Sequence, residues 1–142
     1  MNRLEFENLR NLPGKRIEGD IIFSRTKDTR SYLSFEKIQV INQFKWNILL
    51  NGKYWNDIPT YIFNFSIVDV GPICRIEVNS NEHYDSGRTH KHEFTKESDC
   101  RNNLPTAYNR KDFEDLEILD GWEKLCKEAK ILHDGKFIFP EV

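Results

Sequence analysis

Tyr61-Ile62-Phe63-Asn64-Phe65-Ser66-Ile67 and Ile73-Cys74-Arg75-Ile76-Glu77-Val78, joined across a Gly71-Pro72 turn signal, alternate apolar and polar side chains along both runs. Successive side chains of a strand point to opposite sides, so Tyr61, Phe63, Phe65 and Ile67 share one face and Cys74, Ile76 and Val78 share another. Arg75 and Glu77 then stand together on the far side of the second run, as an ion pair. Two such runs in succession predict neighbouring strands with one buried face.

Toward the N-terminus the same reading continues. Phe44, Trp46, Ile48 and Leu50 share a face of a preceding strand, and Asn51-Gly52 predicts a turn that ends it. Ile17, Gly19, Ile21 and Phe23 alternate up to a polar tip at residues 26 to 30, and Tyr32, Leu33 and Phe35 resume, which predicts a hairpin. Residues 3 to 11 read as a short helix stopped by Leu12-Pro13-Gly14. Toward the C-terminus, Phe113, Leu116, Leu119, Trp122, Leu125, Cys126 and Ala129 recur every three or four residues. Asp112, Glu114 and Asp115 lie near the start of that stripe and Lys124, Lys127 and Lys130 near its end, in the sense the helix dipole favours. Gly121 weakens the helix locally by about 1 kcal/mol relative to alanine. His133-Asp134-Gly135 turns into an extended run from Lys136 to Pro140. The expectation is one α+β domain over residues 1–142: a mainly antiparallel sheet of about five strands, packed by one principal C-terminal helix and a short N-terminal helix.

With 142 residues the chain is long enough for one continuous core. Ten phenylalanines, five tyrosines and three tryptophans supply large buried areas. The net charge of -2 excludes a global attraction to nucleic acid or anionic lipid. Cys74, Cys100 and Cys126 are far apart and form no Cys-x-x-Cys pair, which fits a reduced cytoplasmic protein. No stretch approaches the roughly 20 apolar residues of a membrane span, and the start carries no signal-peptide pattern.

Three of the four histidines, His83, His90 and His92, fall within ten residues after the Arg75 strand. That is a local concentration of groups able to exchange protons or hold a metal near neutral pH. On a strand His90 and His92 share a face, roughly 6 to 7 Å apart along the backbone. They can converge on a divalent metal with a third ligand from the preceding loop, while Glu77, Asp85 and Glu93 orient the rings. Alternatively, and with no cofactor, two imidazoles pass protons to and from an RNA phosphodiester while Arg75, Arg88 or Lys91 balances charge. A third reading is a solvated hairpin whose histidines cap turns or pair with Glu77 and Glu93. The acidic run from Asp112 to Asp120 reads either as a solvated helix face or as a mimic of nucleic-acid charge.

The order of Ile73-Cys74-Arg75-Ile76-Glu77-Val78, then His83, an Asp85-Ser86-Gly87 turn, His90-x-His92, Ala107-Tyr108 and a helix with Leu116, Trp122 and Leu125 resembles small prokaryotic proteins similar to toxins of TumE-type toxin–antitoxin modules. The likeness spans residues 20 to 131 by order and spacing. It implies a compact α+β toxin-like or mobile-element protein with Arg75, His83, His90 and His92 as matching site positions, and an antitoxin, with RNA as target. The chain departs from the pattern where Glu82 and Thr89 stand in place of prolines before His83 and His90. The non-catalytic alternative is a phage- or element-encoded inhibitor that binds a host defence complex.

Overall fold

The computed structural model describes residues 1–25, 32–55, 60–80, 87–95 and 99–140. Along the chain run α1 (Arg3–Asn11), β1 (Lys15–Ile17), β2 (Ile21–Ile22), β3 (Ser24–Arg25), β4 (Tyr32–Val40), β5 (Ile48–Trp55), β6 (Thr60–Ile67), β7 (Gly71–Val78), β8 (His90–Glu93), β9 (Ala107–Asn109), α2 (Ile118–Ala129), β10 (Ile131–His133) and β11 (Phe137–Ile138). The main sheet has seven strands in the order β3-β4-β5-β6-β7-β8-β9, all antiparallel, so the α+β class holds with more strands than the expected five. Two short parallel pairs, β1 with β10 and β2 with β11, stitch the early chain to its last residues.

The alternation in β6 is realised: Tyr61, Phe63, Phe65 and Ile67 are buried and the residues between them are half-exposed. Helix α2 covers that face, with Trp122 and Phe63 ring centroids 5.0 Å apart and Tyr61 donating its hydroxyl to Leu116 O at 3.0 Å. Gly121 sits at this contact, where an added Cβ would lie 2.0 Å from the Tyr61 hydroxyl. The absence of a side chain therefore sets how closely α2 approaches the sheet. Helix α1 is closed at its start by a capping box, Asn2 accepting from Glu5 N and Glu5 accepting from Asn2 N.

Two expectations are corrected. Asn51-Gly52 is no turn: β5 runs through it to Trp55, and Gly52 faces Phe35 on one side and Phe63 on the other. A Cβ on Gly52 would come within 2.3 Å of the Phe35 ring, so this glycine makes room for a cross-strand aromatic. The C-terminal helix starts at Ile118 rather than near Phe113, because a short 3-10 turn at Lys111–Phe113 is followed by Asp115 in the left-handed region, φ 59. Leu119 points outward, 56% exposed, while Phe113 still reaches the core. The tip at residues 26 to 30 lies outside the described residues.

On the α2 side, ions tie the elements together. Glu93 of β8 pairs with Arg10 of α1 at 2.6 Å and with Lys91 at 3.5 Å; Glu128 of α2 pairs with Lys91 at 3.2 Å and with Arg110 at 2.8 Å. No helix among the described residues is long and apolar enough to cross a membrane.

Candidate functional site

The face of the sheet turned away from α2 is laid out by register. Directly paired residues point to the same side, so Lys53, Ile62, Glu77 and His90 form one rung across β5 to β8. Asn51, Asn64, Arg75 and His92 form the next. Glu77 opposite His90 and Arg75 opposite His92 bring four chemically active side chains onto one patch.

There the two imidazoles converge on a single carboxylate oxygen. Glu77 Oε2 lies 3.1 Å from His90 Nε2, 3.0 Å from His92 Nε2 and 3.2 Å from Arg75 Nε. The rings stand edge to face, 78° between planes and 4.9 Å between centroids. Behind each ring a backbone carbonyl takes Nδ1: Gly87 O at 2.9 Å from His90 and Leu104 O at 2.8 Å from His92. A carbonyl can only accept, so each Nδ1 carries a hydrogen. A protonated ring then donates Nε2–H to Glu77, whereas a neutral ring turns its Nε2 lone pair to the same oxygen.

The second rung is covered by a turn at residues 99 to 104, closed by Leu104 N donating to Asp99 O at 2.7 Å. Asn103 accepts from Arg75 Nη1 at 3.0 Å. Asn103 and Leu104 are consecutive non-glycine residues in the left-handed region, φ 59 and 51. Backbone strain of order 1–3 kcal/mol per residue is thus held in the segment that supplies a carbonyl to His92 and an amide to Arg75.

Electrostatics follow from burial and pairing. Burial alone pushes the Glu77 carboxyl up, but the His92 contact and the charges of Arg75 and His90 outweigh it and hold the group at about 2. Burial draws the His90 imidazole below its ordinary value, against the opposing pull of Glu77. His90 is fully buried and His92 nearly so, whereas Arg75 and Glu77 are half-buried and line a groove of about 500 Å³ on the outer sheet face. Asn64 Oδ1, in the wall of that groove, is buried without a hydrogen-bond partner among the described residues.

Of the residues singled out in the sequence, Arg75, His90 and His92 meet here. His83 and Asp85 lie outside the described residues. Arg88 instead donates to Ser80 O, and Lys91 points to the α2 side, so neither balances charge at this centre. Glu93 belongs to the ion network on that same side. The acidic run is internally compensated at its start, where the hydrogen bond from Arg110 holds the Asp112 carboxyl down at about 2. Sequence reasoning placed Glu77 as an outer acceptor, while the structure makes it the hub. The carbonyls of Gly87 and Leu104 had no signal in the sequence, since a carbonyl is common to every residue. No protein-family model matches the chain, and neither a curated protein nor a solved structure matches it.

Proposed function

We propose that this chain is a toxin-like protein of a prokaryotic toxin–antitoxin or mobile-element system that acts on RNA at the groove lined by Arg75 and Glu77. One observation carries this reading: two imidazoles and a guanidinium are focused on one carboxylate in the lining of a groove. Functional sites are where burial and opposed charges gather titratable groups in this way. Arg75 is the phosphate-facing group of the set. Its guanidinium is fixed by Glu77 and Asn103, which leaves it oriented without conformational freedom to lose on binding a phosphodiester. His90 and His92 stand behind Glu77 and set the charge and position of the carboxylate that faces the groove.

Induction of the wild-type chain in a bacterial host should arrest growth, and His90→Ala should abolish the arrest while remaining folded by thermal melt. RNA cleavage by the purified chain should fall about 10²-fold in Arg75→Gln, the size of effect expected on losing one charged group from a phosphoryl site. A harmless wild type, or a His90→Ala variant as toxic as the parent, sinks this reading in favour of a non-catalytic inhibitor that binds a host defence complex.

A further inference from the structure

We infer that Glu77, His90 and His92 together bind one divalent first-row metal ion between His90 Nε2, His92 Nε2 and a Glu77 carboxylate oxygen. The inference deepens the proposed function by naming what the centre holds, and it rests on geometry that does not depend on the target being RNA.

Three observations carry it. The first is convergence: the ligating atoms of these three residues all lie within 4.8 Å of one another, a grouping of two nitrogens and one oxygen from two adjacent strands. Bonds of about 2.0 to 2.1 Å to a tetrahedral ion separate the donors by about 3.3 Å. The observed 3.0 and 3.1 Å between the carboxylate oxygen and each Nε2 differ from that edge by a few tenths of an ångström. The third edge, between the two Nε2 atoms, lies within 4.8 Å, so closing the set around an ion requires adjustment of the imidazoles as well as of the Glu77 side chain.

The second is the arrangement behind the ligands. Metal-bound histidines donate the other ring nitrogen to a carbonyl or carboxylate, which fixes the tautomer and leaves the ligating lone pair directed inward. Both rings here have that support, from Gly87 O and Leu104 O, provided by two separate segments of chain. Glu77 is likewise backed by Arg75 Nε, and Arg75 is itself held by Asn103. Each of the three ligands thus has its own orienting partner.

The third is charge. Two imidazole lone pairs and a carboxylate oxygen brought together in a largely buried site repel one another unless positive charge lies among them. Arg75 meets this need from the carboxylate side only. An ion between the three atoms meets it for all of them, in place of the protons through which the two rings otherwise hydrogen-bond Glu77. Two imidazoles with one carboxylate and no thiolate suit Zn2+ or Fe2+, and they exclude the soft sites that thiolates build. Three protein ligands leave at least one position for water or a substrate oxygen, and Glu77 reaches the groove, so buried histidines can serve chemistry that they could not perform by touching RNA themselves.

The test is metal content and metal response of the intact purified chain. Dialysed against Zn2+, or anaerobically against Fe2+, and then desalted, the wild type should retain about one equivalent of one of them. Its melting temperature should rise by at least about 5 °C in that metal and fall back with a chelator. Co2+ in place of the ion should give the strong visible absorption of a four-coordinate N/O site. Glu77→Gln and His92→Gln, each confirmed folded by circular dichroism, should lose the retained ion, and His133→Gln should keep it. If neither metal is retained nor shifts the melt, or if Glu77→Gln and His92→Gln retain it like the wild type, there is no metal site here. Growth arrest is read separately: a toxic protein without metal overturns this inference alone, and a harmless protein with a bound ion overturns the RNA-directed reading alone.

Discussion

Lys15 carries a charged head into the interior. It is 4% exposed, and its ammonium donates to the carbonyls of Leu9 and of Arg10, the latter at 2.6 Å, in the last turn of α1. A cation there complements the negative end of the helix, yet burial, with repulsion from Lys130 and Arg10, lowers its pKa from the ordinary 10.5 to about 8. Folded Lys15 gives up its proton near pH 8 and the unfolded chain holds it to about 10.5. Between those values the unfolded state binds more protons, so this residue makes stability rise with pH. Half-buried Cys74 and buried Cys126, with thiols pushed up to about 11 and about 12, act in the opposite sense over part of the range. The comparison that isolates Lys15 is therefore with Lys15→Met. From pH 7.5 to 10.5 the wild type should gain on that variant by up to roughly 3 kcal/mol in chemical denaturation, and a constant difference would refute the assignment.

Between strands, one missing side chain organises the middle of the sheet. Gly52 leaves β5 open where the Phe35 ring of β4 crosses toward Phe63, with Phe35 and Phe63 centroids 6.4 Å apart. Gly52→Ala gains about 0.5–1 kcal/mol of backbone entropy but forces the ring aside, at a cost of about 1–3 kcal/mol for overpacking, so a net loss of stability is expected. Phe35→Leu removes the ring tip that the new methyl would meet. The double variant should therefore be more stable than the sum of the two single losses, by at least about 0.5 kcal/mol in a double-mutant cycle. Simple additivity would mean that the close approach is relieved some other way.

The molecule as a whole is closed by its own ends. Phe137 of β11 packs 5.2 Å from Phe23, 5.6 Å from Trp122 and 6.1 Å from Phe63, joining the early strands, α2 and the main sheet in one aromatic cluster. Phe137→Ala should cost about 3–5 kcal/mol and shift the transitions seen by far-UV and near-UV circular dichroism together. A transition confined to one probe would show that the C-terminal segment is an independent unit. What could be read before the fold was known follows the same division of scale. The alternation of β6, that of β7 from Ile76 to Val78, and the helical stripe from Trp122 to Cys126 were legible because strand and helix periods are local geometry, written in neighbouring residues; at Ile73 and Cys74 an irregularity in the pairing with β6 breaks the alternation. So was the shared face of His90 and His92, two positions apart on one strand. The Asn51-Gly52 dipeptide misled because the same residues serve a tight turn or a close aromatic crossing, and only the partner strand decides between them. Glu77 and His90 are thirteen residues apart, and Leu104 lies twelve beyond His92. By itself the sequence determined the α+β class, the faces of its principal elements and the residue types available for chemistry. Tertiary structure alone decided that Glu77 is their meeting point, because strand register and the path of the covering turn depend on contacts between distant segments that no local pattern encodes.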